Sequence, residues 1–202
     1  MKLPQRIQLI PASRSWLNDA ASKYHYMHRP IHAKSSPFGW RVICDGSADQ
    51  PDGSPSGFII FSSIHYTKLA GIFGYEGLPT KWQVLSLSRL WLHDDLPHLS
   101  ATVVIAKAIK LVQRRWLEVH PPRFPDQPYH ILRIISYADT RFHTGTVYRA
   151  ANFEEHGRTV SASRHKGTRG AGMDGAELIR FIYRLPKPNW EYSPVAGLPL
   201  FN

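Results

Sequence analysis

The amino-acid sequence predicts an α/β fold, a single domain in which a mixed β-sheet is flanked by helices. The chain has 202 residues, a length typical of one domain. Hydrophobic residues make up 43% and charged residues 20%, an ordinary globular composition. A run of strands joined by turns precedes a strand, a long helix and another strand, which requires both antiparallel and parallel pairing. We expect this domain to cover residues 1–186 and a proline-rich tail to cover residues 187–202.

The first half of the chain predicts one helix among four strands. Apolar side chains recur at helical spacing between Ser13 and Tyr26, with Ser13 as the expected N-cap. Runs rich in β-branched and aromatic residues, separated by glycine and proline turns, indicate the strands. These are expected at residues 7–10, 40–46, 57–66 and 84–95. Residues 67–83 have no clear period and are expected to form an irregular loop.

A long amphipathic helix dominates the second half of the chain. We expect Ser100 to cap it and the prolines that follow residue 119 to end it. A nearly continuous apolar run before Asp139 indicates a strand buried on both faces. The remaining elements are expected to be a strand at 129–139, a short helix at 143–153, and strands at 158–163 and 176–186. This order of elements is that of the N-acetyltransferase (GNAT) fold, so we expect a GNAT-like sheet.

The charge balance favours a polyanionic partner. Lys and Arg number 25 against 15 Asp and Glu, a formal net charge of +10, which is typical of nucleic-acid-binding domains. Residues 158–170 contain no acidic residue and form a basic segment suited to a phosphate backbone, although a solvated surface loop is the alternative. The residues expected to contact phosphate there are Arg164, Lys166 and Arg169.

Cysteine content and hydropathy predict the compartment. Cys44 is the only cysteine, which excludes an intramolecular disulfide and a multi-cysteine zinc site and fits a reducing compartment. No apolar run reaches the roughly 20 residues of a membrane span, and the N-terminal segment does not resemble a signal peptide. We therefore expect a soluble cytoplasmic protein with no membrane partner.

The densest group of chemically active side chains lies in residues 136–153. It follows the buried strand, at the edge of an α/β sheet where ligands bind. Asp139 can serve there as a base or metal ligand and Tyr148 as an acid, and Arg149 is a candidate contact to a polyanionic substrate. The alternatives are that Asp139 only caps the turn and that Tyr148 only packs.

A second group lies in residues 24–30. Tyr26 or Trp40 can stack on a base and Arg29 can meet a phosphate. His25 can act in catalysis, or together with Asp139 supply two ligands of an iron site of the two-histidine, one-carboxylate type. A favourable contact with the helix dipole is the alternative for histidine at a helix end.

Two further segments are candidates for substrate or cofactor binding. Strict alternation on the strand at 84–95 places Ser86 and Ser88 on one face and Arg89 on the other. Ser88 then lines a cleft or merely packs. At the start of the long helix, backbone N–H groups of Ser100 and Thr102 can hold a phosphate.

At HYMHR (25–29), LSRLWL (87–92) and YADTRFHTGTVYRAANFEEHGRT (137–159), the chain resembles the Mom family of phage DNA-modification proteins. The last segment is also similar to part of the Druantia anti-phage protein family. The resemblance is concentrated in residues 84–160. It implies a GNAT-like fold and the addition of a carbamoylmethyl group to adenine N6 in duplex DNA, which protects phage DNA from host restriction.

The resemblance also implies a location and cofactors. It places the protein in a phage-infected or prophage-carrying bacterial cell, with double-stranded DNA as partner. Acetyl-CoA and iron are both candidate cofactors for the family. The matching functional positions are His25, Tyr26, Ser88, Arg89, Asp139 and Tyr148. The segment before the long helix, HDDLPHLS, has two aspartates and lacks the glycine-rich pyrophosphate loop of acetyltransferases. A conventional GNAT acyltransferase and a non-catalytic nucleic-acid-binding defence module are the alternatives.

Overall fold

A computed structural model of the chain describes residues 6–28, 30–31, 36–44, 54–64, 83–121, 130–160 and 175–186. Within these residues it contains seven strands and three helices in the expected order. The strands are β1 (Ile7–Pro11), β2 (Phe38–Cys44), β3 (Gly57–Ser63), β4 (Val84–Leu92), β5 (Arg133–Asp139), β6 (Glu154–Val160) and β7 (Glu177–Arg184). The helices are α1 (Arg14–Tyr24), α2 (Ser100–Val119) and α3 (Thr146–Ala150).

The strands form one mixed sheet in the order β1-β2-β3-β4-β5-β7-β6. Strands β1 to β4 make an antiparallel meander, and β5, β7 and β6 continue it with antiparallel pairs. The pair β4 and β5 is parallel, because α2 carries the chain across the sheet between them. The predicted single α/β domain with a mixed sheet is therefore confirmed.

The long helices cover opposite faces of the sheet. Helix α1 buries Leu17 against Phe58 and Ile60 of β3, whereas α2 packs on the face that carries Ile59 and Phe61. Alternate residues of β3 thus serve two different cores, as the pleat of a strand requires. No helix in the described parts of the chain is both long and apolar enough to cross a membrane.

Two expectations about individual residues are wrong. Trp40 is 2% exposed and packs edge-on against Phe61, so its ring belongs to the core and is not available to stack on a base. Helix α2 begins after Leu99, which takes a left-handed conformation as N-cap. Ser100 is the first helical residue, and its hydroxyl donates to the carbonyl of Pro97 at 2.6 Å instead of capping the helix. The expected N-cap of α1 is confirmed, since Ser13 accepts a hydrogen bond from the Trp16 N–H.

Candidate active site

The central feature of the site is a gap between β4 and β5. The two strands pair at only three positions, from Val84 with Arg133 to Ser86 with Ile135. Strand β4 nevertheless continues to Leu92 and β5 to Asp139, so the two strands diverge in the direction of their carboxyl ends. Such a divergence opens the sheet at the edge where α/β proteins bind ligands.

A β-bulge in β4 turns one predicted residue to the other face. Leu87 pairs with Phe61 and Arg89 pairs with Ile60, so Ser88 is an extra residue without a counterpart in β3. Its hydroxyl contacts that of Ser62. The extra residue places Arg89 on the α1 face together with Ile60, and not on the opposite face that strict alternation predicted.

His25, the C-cap of α1, is a buried titratable group on this face. It is 4% exposed, and burial, together with the positive charge of Arg89, lowers the pKa of its imidazole to about 3. The ring is therefore neutral at pH 7. Its Nδ1 accepts a hydrogen bond from the Met27 N–H at 3.2 Å, so the proton of the neutral ring is on Nε2. His25 thus offers an N–H donor.

Tyr26 lies directly above this histidine. The two ring centroids are 4.3 Å apart, and the Tyr26 ring also contacts Phe142 at 5.4 Å and His143 at 5.7 Å. Tyr26 is 40% exposed, so one part of its ring faces solvent. The aromatic group therefore extends from a buried histidine to the protein surface.

Tyr148 approaches from the other side of the gap, on α3. Its ring stacks on Phe181 of β7 at 5.1 Å, and its hydroxyl hydrogen-bonds the side chain of Ser136. Burial raises the pKa of this phenol, so it stays protonated at neutral pH. The N-cap of α3, Gly145, has a φ of 80°, and a Cβ there would lie 2.3 Å from the Phe181 ring. Only glycine allows α3 to approach the sheet this closely.

Asp139 ends β5 and organises the turn that follows. Its buried carboxylate receives two hydrogen bonds from the guanidinium of Arg141, at 2.9 and 2.6 Å, and one from the Arg141 N–H. This pairing holds the pKa of Asp139 below its usual value. The main-chain oxygen of Asp139 accepts from the N–H groups of Phe142 and His143. Of the two roles left open by the sequence, the structure shows the turn-capping one.

The structure brings five sequence-predicted residues to the gap and leaves others elsewhere. Those at the gap are His25, Tyr26, Arg89, Asp139 and Tyr148. Ser88 lies beside them at the bulge. The side chain of Arg149 is exposed on α3 and pairs with Glu155 at 2.6 Å. The predicted DNA contacts Arg29, Arg164, Lys166 and Arg169 lie outside the described residues.

The sequence placed His143 in the polar cluster at 136–153 but predicted no individual role for it or for three other residues of this region. Ser136 orients Tyr148, Arg141 pairs with Asp139, and Phe142 and His143 contact Tyr26. All four lie in the polar segment at 136–153. The signal for Arg141 was its spacing of two residues from Asp139, which suits a carboxylate at the start of a turn.

The fold and the gap define the chain as a protein with the GNAT acyltransferase fold. Two structures of Arabidopsis thaliana NAA60 are similar: the complex with acetyl-CoA (TM-score 0.59, 11% identity, covering 89% of this chain and 99% of that one) and the complex with a bisubstrate analogue (0.57, 11%, 90% and 100%). A protein of Acinetobacter baylyi assigned to the acetyltransferases is also similar (0.50, 12%, 93% and 96%). At these identities the likeness concerns the fold.

The chain belongs to the Mom protein family, whose model matches residues 6–170. That range includes both strands of the gap and all the residues described above except those of β7. A comparison with curated protein sequences finds no significant match. The family and the fold together support a DNA-modifying or acyltransferase type of function.

The residues at the gap do not fit an iron site. Nδ1 of His25 is occupied by the Met27 N–H, and its Nε2 carries the proton. Both oxygens of Asp139 are engaged by Arg141. Among the described residues, no group of three or more His, Cys, Asp or Glu side chains is arranged to hold a metal ion.

The start of α2 likewise does not fit the pyrophosphate of coenzyme A. The N–H and hydroxyl of Ser100 both donate to the carbonyl of Pro97, at 3.1 and 2.6 Å, so neither is available to a phosphate. Asp94 and Asp95 are exposed just before the helix and repel an anion. Thr102 is half-buried in the first turn. At the predicted phosphate site the two donors of Ser100 are therefore occupied, and the two aspartate carboxylates oppose the positive end of the helix dipole.

Proposed function

We propose that this protein transfers a carbamoylmethyl group to N6 of adenine in double-stranded DNA and thereby protects phage DNA from restriction. Membership of the Mom family supports the reaction, and the net charge of +10 supports the polyanionic substrate. The observation that carries the proposal is the arrangement at the gap, where Tyr148 from one face of the sheet interacts with Tyr26 from the other and Tyr26 in turn contacts His25. This is a recessed site with an aromatic approach, as a flipped base requires.

The depth of the site implies that the base leaves the helix. The N6 amino group of adenine is paired and stacked within a duplex, and His25 is only 4% exposed. Extruding one base costs a few kcal/mol, which stacking on an aromatic side chain offsets in part. Tyr26 provides that ring.

The transfer balances with a donor of the form X–CH2–CO–NH2, in which X is a leaving group. A bond forms between N6 and the methylene carbon while the bond from that carbon to X breaks with its electron pair. N6 loses a proton to His143, whose exposed imidazole contacts Tyr26. The neutral phenol of Tyr148 turns its O–H from Ser136 toward X and donates the proton as X leaves. Asp139 is not used as a base, because its lowered pKa and its pairing with Arg141 make it a poor proton acceptor.

Nucleoside mass spectrometry of DNA from cells that express the chain tests this proposal. We expect a deoxyadenosine derivative in which one carbamoylmethyl group replaces a hydrogen, absent from cells with the empty vector. Digestion of that DNA by restriction enzymes with adenine in their sites should be blocked. Unmodified deoxyadenosine together with acylated amines would support a conventional acyltransferase instead. Bound but unmodified DNA would support a binding module.

A further inference from the structure

Two exposed aromatic rings touch each other at the mouth of the site. Six large apolar side chains are exposed in the described part of the chain, and Phe142, at 60%, and Tyr26, at 40%, are two of them. A single exposed apolar side chain is normal, but Phe142 and Tyr26 are in contact, with centroids 5.4 Å apart. Contiguous exposed aromatic surface next to a buried polar group marks a binding region.

The turn after β5 holds Phe142 in place. The Phe142 N–H donates to the main-chain oxygen of Asp139 at 3.0 Å. The guanidinium of Arg141, fixed by the Asp139 carboxylate, lies 5.4 Å from the centre of the Phe142 ring. The ring is therefore presented to solvent by a turn that a buried carboxylate and its ion pair have already ordered. Little additional ordering is needed when it contacts a partner.

The spacing of the rings excludes a sandwich. A base held between two parallel rings needs them about 7 Å apart, twice the 3.4 Å rise of stacked bases. Tyr26 and Phe142 are closer than this and are tilted by 43°. A base that stacks on Tyr26 therefore does not stack on Phe142 in the same arrangement. Exposure rises from His25 at 4% through Tyr26 at 40% to Phe142 at 60%, so Phe142 is the outermost of the three.

We propose that Phe142 enters the DNA helix and fills the space that the extruded adenine leaves, while Arg141 meets the flanking phosphate. An apolar side chain between base pairs restores the stacking that the neighbours lose, which lowers the cost of extrusion. The Arg141 guanidinium is paired with Asp139 but remains partly exposed beside the ring, where a backbone phosphate can approach it. This inference rests on the proposed function and adds a residue that opens the duplex.

Binding to two duplexes isolates this role and needs no group donor. One duplex contains normally paired adenines, and in the other an adenine faces an abasic site and is already unpaired. We expect Phe142→Ala to lower the affinity for the paired duplex about tenfold and to change that for the unpaired one less than about threefold. Phe142→Leu, which keeps apolar bulk, should retain most of the affinity. Leu111→Ala, an exposed apolar side chain on α2, is the matched control and should change neither.

The outcomes separate the inference from the function it rests on. If the wild type forms modified adenine and Phe142→Ala does not, while the variant protein keeps the wild-type melting temperature, both the role of Phe142 and the proposed function are supported. If the wild type modifies adenine and Phe142→Ala does so to the same level, the proposed role of Phe142 is overturned while the proposed function stands. An equal loss of affinity for both duplexes also overturns it, because the ring would then be a general contact. Absence of modified adenine in the wild type overturns the proposed function itself.

Discussion

The hydroxyl of Ser136 donates a hydrogen bond to the main-chain oxygen of Leu87, 3.2 Å away across the gap between β4 and β5. The same side chain bonds the hydroxyl of Tyr148. Leu87 is the residue before the bulge at Ser88. One buried hydroxyl thus connects the irregular edge of β4 to the phenol that enters the gap from α3, so the two sides of the site keep a fixed relation.

Removing the Tyr148 hydroxyl should abolish most of the activity without unfolding the protein. We expect Tyr148→Phe to lower the level of modified adenine about a hundredfold, since the ring still stacks on Phe181 but the proton donor is lost. Nucleoside mass spectrometry of cellular DNA measures it. Tyr183→Phe, on the neighbouring strand, is the control and should be near the wild type. Full activity of Tyr148→Phe would remove the phenol from the mechanism.

The buried neutral imidazole of His25 should make the protein sensitive to acid. Its pKa is lowered from 6.5 to about 3 on folding, so the unfolded chain binds the proton first as the pH falls. The free energy of unfolding therefore falls as the pH drops below 6.5, by about 1.4 kcal/mol for each pH unit.

Urea unfolding at pH values from about 7 down to about 5 checks this pH dependence. As the pH falls over that range, the free energy of unfolding of the wild type should decrease more than that of His25→Asn, so the difference should shift steadily in favour of the variant. His98→Asn, at an exposed position, should follow the wild type. A constant difference between His25→Asn and the wild type would mean that His25 does not titrate in this way.

Asp139 and Arg141 should behave as one structural unit. Each of Asp139→Asn and Arg141→Gln breaks the pair that orders the turn, and we expect each to reduce the free energy of unfolding by about 2 kcal/mol. Both should also lower modification by similar factors, because both release Phe142 and His143. If Asp139 were the base, its substitution would abolish activity, whereas Arg141→Gln would raise the pKa of the carboxyl and spare the reaction.

The order of the elements was predictable from the sequence, and the irregularities that build the site were not. Helical periodicity identified both long helices, and runs of β-branched, aromatic or apolar residues between turns indicated the seven strands, although β6 begins at Glu154 and not at the predicted residue 158. The bulge at Ser88 depends on the pairing of β4 with β3, which no local pattern encodes, and it reversed the face predicted for Arg89. The burial of Trp40 was missed for a similar reason, since an aromatic residue in a strand can face either a core or a cleft.

Chemistry at the gap was predictable to the level of residue types. The carboxyl end of a buried strand correctly indicated where Asp139 and Tyr148 lie relative to the sheet. The ion pair between Arg141 and Asp139 depends on the conformation of the Arg141 side chain. The spacing of two residues suggests this conformation but does not determine it. The tautomer of His25 likewise depends on the Met27 N–H in a turn beyond α1.

DNA binding should depend steeply on salt through the basic segment at 158–170. Each neutralised phosphate contributes about 0.9 to the slope of log K against log salt concentration. Replacing Arg164, Lys166 and Arg169 by Ala should reduce the magnitude of this slope by that amount for every phosphate that is no longer neutralised. Fluorescence anisotropy titrations at several salt concentrations measure the slope. The charge-matched control replaces Lys107, Lys110 and Arg114 on α2 and should leave the slope nearly unchanged. A binding constant independent of salt would contradict the electrostatic contribution.

Acetyl-CoA should bind the isolated protein weakly or not at all. An ordinary acetyltransferase holds the pyrophosphate on free N–H groups at the start of the helix that follows β4. Here Ser100 donates both its N–H and its hydroxyl to Pro97, and two exposed aspartates precede it. The approach therefore combines occupied donors with negative charge, and a pyrophosphate group gains little there. Calorimetric titration with acetyl-CoA should show no binding in the micromolar range, and Asp94→Ser together with Asp95→Ser should strengthen any residual binding. A micromolar dissociation constant for the wild type, competed by free coenzyme A, would show that the cofactor is held by groups other than those at the start of α2.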